Sequence, residues 1–288
     1  MQPANEKTFA MTINGRRLTA NDGESVLTVA KRAGIDIPTL CHHPAIEDFG
    51  SCRLCLVEVT KPEWKGWQGL MTACLYPAAK DLIVETQSER VRHVRRNVLD
   101  LLLARCPESQ VIQQLASDYG VTRSSFTPRA DADLCILCGL CVRVCESAVT
   151  AAIATLNRGR RREVGPPFGD VPPDCVGCTA CAHVCPTGHI IFTEDKGVRT
   201  IWNKKFELLR CQKCHEPLLT VEQRDHLLKT RDLDVSYYEL CPGCKRQRTA
   251  ETFADVVLKT HPHFVPKQMG GSSGIPTVPF VQHKEVRP

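Results

Sequence analysis

Sixteen of the 17 cysteines in this chain fall into four sets of four, and no other feature constrains the fold as strongly. Cys41, Cys52, Cys55 and Cys74 form the first set. Cys135, Cys138, Cys141 and Cys145 form the second, and Cys175, Cys178, Cys181 and Cys185 the third. Cys211, Cys214, Cys241 and Cys244 form the fourth, and Cys106 alone is left over. Each set has the spacing of a metal or iron–sulfur site. The pattern implies a row of redox centres, each fixing the loops around it.

Composition agrees with several small modules. A chain of 288 residues suits two to four of them, and aromatics at 6% are too few for one large core. Metal centres are expected to supply part of the stability by cross-linking loops. Disulfides are the competing use of many cysteines, but thiols repeated along one tight loop suit a single centre better than distant partners. Residues Met1–Lys7 are polar and lead into no apolar stretch, so no signal peptide is expected. No window approaches the roughly 18 apolar residues of a membrane span. Thiolates kept for metal fit a cytoplasmic location. The net charge is +5. Its densest stretch, Arg158-Gly159-Arg160-Arg161-Arg162, reads as a solvated loop or docking surface in preference to a nucleic-acid site.

Periodicity places the sets on elements. Thr8–Ile13 and Arg16–Ala20 read as strands joined by an Asn14-Gly15 hairpin turn. Ser25–Ala33 has helical character and stops at Gly34. A loop-rich stretch with a strand at Leu54–Thr60 follows, then a closing strand at Asp81–Glu85, which together give a β-grasp outline. Ser88–Arg105 reads as an amphipathic helix with its arginines on the outer face, and Glu108–Tyr119 as a second helix. Residues 135–198 hold two copies of C-x2-C-x2-C-x3-C around a Pro/Arg/Gly-rich insertion, Glu146–Asp174. Beyond residue 200, two C-x2-C pairs bracket a helical stretch at Thr220–Thr230, and the chain turns Pro/Gly-rich from His261.

A C-x2-C-x2-C loop converges three thiolates on one cubane, and in two-cluster ferredoxins the last cysteine of each run crosses to the other cluster. Cys135, Cys138, Cys141 and Cys185 are therefore assigned to one [4Fe–4S] cluster, and Cys175, Cys178, Cys181 and Cys145 to the other. Zinc pairs are the competing reading. The first set is a widened variant of the plant-type C-x4-C-x2-C spacing and is assigned a [2Fe–2S] cluster, with a four-cysteine zinc site as the alternative. In the fourth set, two knuckles close one tetrahedral site. Zinc is the default there, with mononuclear iron or a third [4Fe–4S] cluster open. His42 and His43 could tune the first cluster or be exposed loop residues. His215 and His226 read as surface residues.

These motifs carry a resemblance. Thr39-Leu40-Cys41-His42-His43, Ser51–Val59 with its Cys-Arg-Leu-Cys loop, and Leu101-Leu102-Leu103-Ala104 take part, as do the Cys135–Cys145 run and Cys181-Ala182-His183-Val184-Cys185-Pro186-Thr187-Gly188. Residues 1–200 resemble the iron–sulfur subunit of the diaphorase part of NAD-linked hydrogenases. They also resemble the N-terminal iron–sulfur region of the large peripheral subunit of respiratory complex I and of NAD-dependent formate dehydrogenases. That family has a further cubane after the long helix, held by one histidine and three cysteines. Here Cys106 stands at the histidine position and the other three ligands are absent, so that cluster is expected to be missing and Cys106 to be a packed side chain.

The resemblance implies an electron-transfer subunit, not catalytic alone, between a flavin/NAD(P)-binding subunit and a catalytic metalloenzyme subunit such as a hydrogenase or formate dehydrogenase. No G-x-G-x-x-G or G-x4-G-K-[ST] motif supplies a nucleotide site. The alternative is a stand-alone redox-sensing or nucleic-acid-binding iron–sulfur/zinc protein. The expected fold class is α+β. An N-terminal β-grasp [2Fe–2S] ferredoxin-like domain (1–86) leads to a helical linker with the degenerate cluster region (87–130). A two-cluster [4Fe–4S] ferredoxin-like domain (131–200) follows, then a small C-terminal zinc-ribbon or rubredoxin-like module (201–258) and a flexible tail (259–288).

Overall fold

Asn14 and Gly15 both take positive φ (50° and 74°), the twist that lets a two-residue turn join two strands. The strands are β1 (Thr8–Ile13) and β2 (Arg16–Asn21). The computed structural model describes residues 8–128, 133–169 and 171–260. The expected tail from His261 lies outside them.

Helix α1 (Val26–Arg32) starts where Ser25 Oγ accepts the Thr28 N–H, 3.2 Å away. Strands β3 (Leu56–Thr60), β4 (Gly69–Thr72) and β5 (Ile83–Glu85) complete a five-stranded sheet of order β2-β1-β5-β3-β4, in which only the β1–β5 pair is parallel. Val26, Leu27, Val29 and Ala30 of α1 are buried with Met11, Ile13, Val57, Val59 and Val84 of the sheet in the first core. Strand β4 was not legible in the sequence. Its residues Gly69-Leu70-Met71-Thr72 show no alternation, and pairing with β3 alone makes it a strand.

Helix α2 (Glu89–Arg105) is capped by Ser88 and is followed by α3 (Gln110–Asp118). One expectation fails here. Arg95 is fully buried, not on the outer face. Its guanidinium donates to the carbonyls of Leu54 (2.9 Å) and Leu56 (2.8 Å) and to the Tyr119 hydroxyl (3.1 Å). Backbone acceptors at the end of a cysteine loop thus draw a cation inward.

Helix α4 (Leu140–Ala148) carries Cys141 and Cys145 of the second cysteine run. The insertion folds into a short hairpin of β6 (Ala154–Leu156) and β7 (Glu163–Gly165), and α5 (Ala180–His183) carries Cys181 of the third run. Strands β8 (Phe192–Asp195), β9 (Val198–Ile201), β10 (Lys204–Arg210) and β11 (Pro217–Thr220) form one antiparallel sheet in the order β11-β10-β9-β8. A boundary at 200/201 therefore falls inside β9, and the sheet continues from the dicluster region into the last module. Helices α6 (Val221–Thr230) and α7 (Pro242–Thr260) close the described chain. No helix among the described residues is long and apolar enough to cross a membrane.

Candidate iron–sulfur and metal centres

The first four cysteines arrange as two pairs. Cys55 and Cys74 have their Sγ atoms 3.5 Å apart, and the Cys52 N–H donates to Cys41 Sγ at 3.4 Å. The Cys41 thiol hydrogen-bonds the Cys52 sulfur, which lowers the Cys52 pKa to about 6 and raises that of Cys41. The hydrogen bond between the Cys55 and Cys74 sulfurs likewise leaves Cys55 lowered and Cys74 raised. Two thiolates on one tetrahedral metal stand about 3.8 Å apart, given metal–sulfur bonds of about 2.3 Å. Two such edges suit two adjacent irons. All four side chains are buried. His42 Nδ1 lies 2.6 Å from Asp48 Oδ1, and His43 Nδ1 accepts the Ala45 N–H, so both histidines are engaged within the loop.

The second and third runs repeat one backbone conformation. Leu137 (φ 54°) and Gly139 (φ 74°) match Gly177 (φ 66°) and Thr179 (φ 61°). A non-glycine residue in this region costs about 1 kcal/mol, and such turns aim successive N–H groups into a common concavity that suits anions. Each concavity is closed by a cysteine of the other run. Cys185 lines the space bounded by Cys135, Cys138 and Cys141, and Cys145 lines the space bounded by Cys175, Cys178 and Cys181. Burial raises the pKa of Cys138 to about 11 and of Cys141 and Cys181 to about 12. Thiols so disfavoured as free anions need cations beside them to become thiolates, which fits iron ligation.

Cys211, Cys214, Cys241 and Cys244 bring their ligand atoms within 4.8 Å of one another, with Cys214 Sγ and Cys241 Sγ 3.6 Å apart. Among the described residues no other group of three or more Cys, His or acidic ligand atoms converges this tightly. A polynuclear cluster would hold its thiolates farther apart, because its own irons and sulfides stand between them. This set fits a single tetrahedral ion. His215 is exposed and His226 half-buried on α6.

Cys106 is fully buried between α2 and α3 among Leu99, Leu103, Ile112 and Ala116, and its N–H donates to the Leu102 carbonyl at 2.8 Å. That core also includes Cys41, Cys52 and Leu54 from the first loop and Ile136, Cys138 and Leu140 from the second run. Polar contacts cross the same seam. Arg143 on α4 donates to the carbonyl of Cys41 (2.9 Å) and to that of Glu47, with its guanidinium 5.5 Å from the Phe49 ring centre. Ser51 Oγ donates to the Leu137 carbonyl (3.2 Å), and Arg105 Nε to that of Cys135 (2.7 Å). Sequence reasoning missed these residues. Only the position of Arg143, between two ligand cysteines on a helix, could have drawn notice.

Comparison with known proteins agrees with this geometry. Residues 6–89 match the family described as a 2Fe-2S iron–sulfur cluster binding domain, and residues 134–190 match the 4Fe-4S dicluster domain. The NADP-reducing hydrogenase subunit HndD of Solidesulfovibrio fructosivorans is 31% identical over 214 residues, which is 64% of this chain and 36% of that protein. A NADH-quinone oxidoreductase subunit of Rhizobium meliloti is 31% identical over 207 residues, 63% of this chain and 24% of its own length. The chain thus spans about a third or less of these relatives. A chain of the NAD+-reducing [NiFe]-hydrogenase in its H2-reduced state superimposes with a TM-score of 0.55 at 29% identity, covering 65% of this chain and 86% of that one. The chain is an iron–sulfur protein, built on a 2Fe-2S domain and a 4Fe-4S dicluster domain, and homologous to subunits of NAD(P)-linked hydrogenases and of NADH-quinone oxidoreductase.

Proposed function

We propose that this chain is an electron-transfer subunit of a multi-subunit, NAD(P)-linked oxidoreductase. It would relay electrons between a flavin subunit that exchanges them with NAD(P)H and a catalytic metalloenzyme subunit, such as a hydrogenase or formate dehydrogenase. The observation that carries this reading is the shared apolar core in which Cys41 and Cys52 of the first set lie with Cys138 of the second. Such packing keeps two centres close and excludes water between them.

The residues divide the work. Cys41, Cys52, Cys55 and Cys74 would hold a [2Fe–2S] cluster. Cys135, Cys138, Cys141 and Cys185 would hold one [4Fe–4S] cluster, and Cys175, Cys178, Cys181 and Cys145 the other. Each cluster, when bound, supplies a site that takes up and gives back one electron. Crossed ligation ties the two runs together and fixes the distance between their centres. Arg143, Ser51 and Arg105 hold the dicluster loops against the first domain. Cys211, Cys214, Cys241 and Cys244 would hold zinc in a zinc-ribbon-like module. Cys106 would serve as a core side chain packed between α2 and α3.

The test is reconstitution. The isolated chain should not oxidise NAD(P)H. Added back to a complex that lacks it, the chain should restore NAD(P)H-driven reduction of the terminal acceptor. Equal rates with and without the chain would overturn the proposal.

A further inference from the structure

The loop Cys175-Val176-Gly177-Cys178 is gripped along its outer side by the sheet whose β10–β11 connection carries Cys211 and Cys214. Three successive carbonyls of that loop each accept from a different strand. Lys204 Nζ on β10 donates to the Cys175 carbonyl at 2.8 Å, and also to that of Pro173 at 2.8 Å. Thr220 Oγ1, at the end of β11 and fully buried, donates to the Val176 carbonyl. Arg199 Nη1 on β9, itself ion-paired to Glu194, donates to the Gly177 carbonyl at 2.7 Å. Phe206 and Thr220 also press on Gly177. A Cβ there would stand 2.8 Å from the Phe206 ring and 3.0 Å from the Thr220 methyl, at a φ of +66°. Turning all three carbonyls outward leaves the loop's N–H groups for the interior.

The far end of the same hairpin holds the metal site. Strands β10 and β11 are joined through Cys211 and Cys214, and the pairing between them is short and irregular, with Leu208 opposite Thr220 and Arg210 opposite Pro217. The knuckle is closed by the Cys211 N–H to the Glu216 carbonyl and linked to the second knuckle by the Gln212 N–H to the Glu239 carbonyl, both 2.9 Å. Little apolar packing surrounds it beyond Leu218 and Leu240. So small a unit depends on its metal for order.

We infer that the Cys211/Cys214/Cys241/Cys244 site takes one tetrahedral divalent ion of the zinc class and serves as a brace for the neighbouring cluster. The ion fixes the β10–β11 hairpin, and the hairpin fixes the carbonyls of the Cys175–Cys178 loop. The inference rests on the proposal that this loop holds a [4Fe–4S] cluster. The first run is held instead from the other side, by Arg105 and Ser51, so the brace acts on one cluster only.

The test uses the anaerobically purified full chain, Cys214→Ser, and Thr220→Val. Zinc and iron are counted, and iron release to a chromogenic iron chelator is followed with EPR of the reduced protein. Cys214→Ser should lose its zinc. The signal of the Cys175/Cys178/Cys181/Cys145 cluster should then be lost about fivefold faster than in the native chain, the factor one net hydrogen bond is worth. The signal of the Cys135/Cys138/Cys141/Cys185 cluster should decay at its native rate. Thr220→Val should keep its zinc and show the same selective loss, which separates release of the Val176 carbonyl, and of the Gln223 N–H that the same hydroxyl caps at the start of α6, from misfolding of the knuckles. A zinc-free Cys214→Ser chain that releases iron at the native rate overturns the brace, as does equal acceleration of both clusters. A native chain with no third-run cluster signal overturns the underlying cluster proposal instead.

Discussion

At the scale of single residues, the account turns on Cys145 and Cys185, each lining the cavity bounded by the other run. Cys185→Ser should remove or alter the centre bounded by Cys135, Cys138 and Cys141 and spare the one bounded by its sequence neighbours, because Cys185 lines the former space. EPR of the reduced variant distinguishes the two. Loss of the Cys175/Cys178/Cys181 signal with the other intact would contradict crossed ligation. The buried thiols also set a pH dependence. Burial raises Cys138 to about 11 and Cys141 and Cys181 to about 12, above the ordinary 9.0. A group whose folded pKa is raised lends stability below its unfolded value and loses it as pH climbs through the folded one. The iron-free protein should therefore melt at falling temperature as pH rises from about 9 towards 12. The iron-loaded protein, its thiols already deprotonated, should show no such slope. Thermal melts of both forms across that window test it.

At the scale of elements, most of what positions the centres was readable before the fold. The Asn14-Gly15 turn, α1 with its Ser25 cap, α2 and the doubled cysteine run all follow from local pattern, and the structure has them within a residue or two. Strand β4 escaped because its residues carry no alternation. The β6–β7 hairpin escaped because an Arg/Gly-rich sequence resembles a bare loop. The buried Arg95 escaped for a different reason. Helical periodicity assigns a charged residue to the outer face, and nothing in α2 announces that carbonyls of Leu54 and Leu56 will lie beside it as acceptors. The same holds for α4, where Arg143 reaches Cys41 across the domain seam. Arg143→Gln should loosen that seam while leaving every ligand in place. A charged hydrogen bond of this kind is worth roughly 1.5–3 kcal/mol. The expected readout is a weaker magnetic interaction between the reduced [2Fe–2S] signal and the first cubane signal, with iron content unchanged. An undiminished interaction would show that apolar packing alone holds the domains together.

At the scale of the whole molecule, the four cysteine sets follow one another along the chain, and neighbouring elements buttress the loops that carry the second and third. The first domain holds the second run through Ser51, and α2 holds it through Arg105. The last sheet holds the third run through Lys204, Thr220 and Arg199. The cysteine spacing announced four centres, while the order in which they brace one another needed the fold. The central claim is that three of these centres are iron–sulfur clusters and the fourth is a single metal ion. Iron and zinc analysis of the anaerobically purified full chain, joined to EPR of the reduced protein, tests it most directly. The account predicts about ten irons and about one zinc per chain, with one [2Fe–2S] and two cubane signals. About fourteen irons, no zinc and three cubane signals would contradict it.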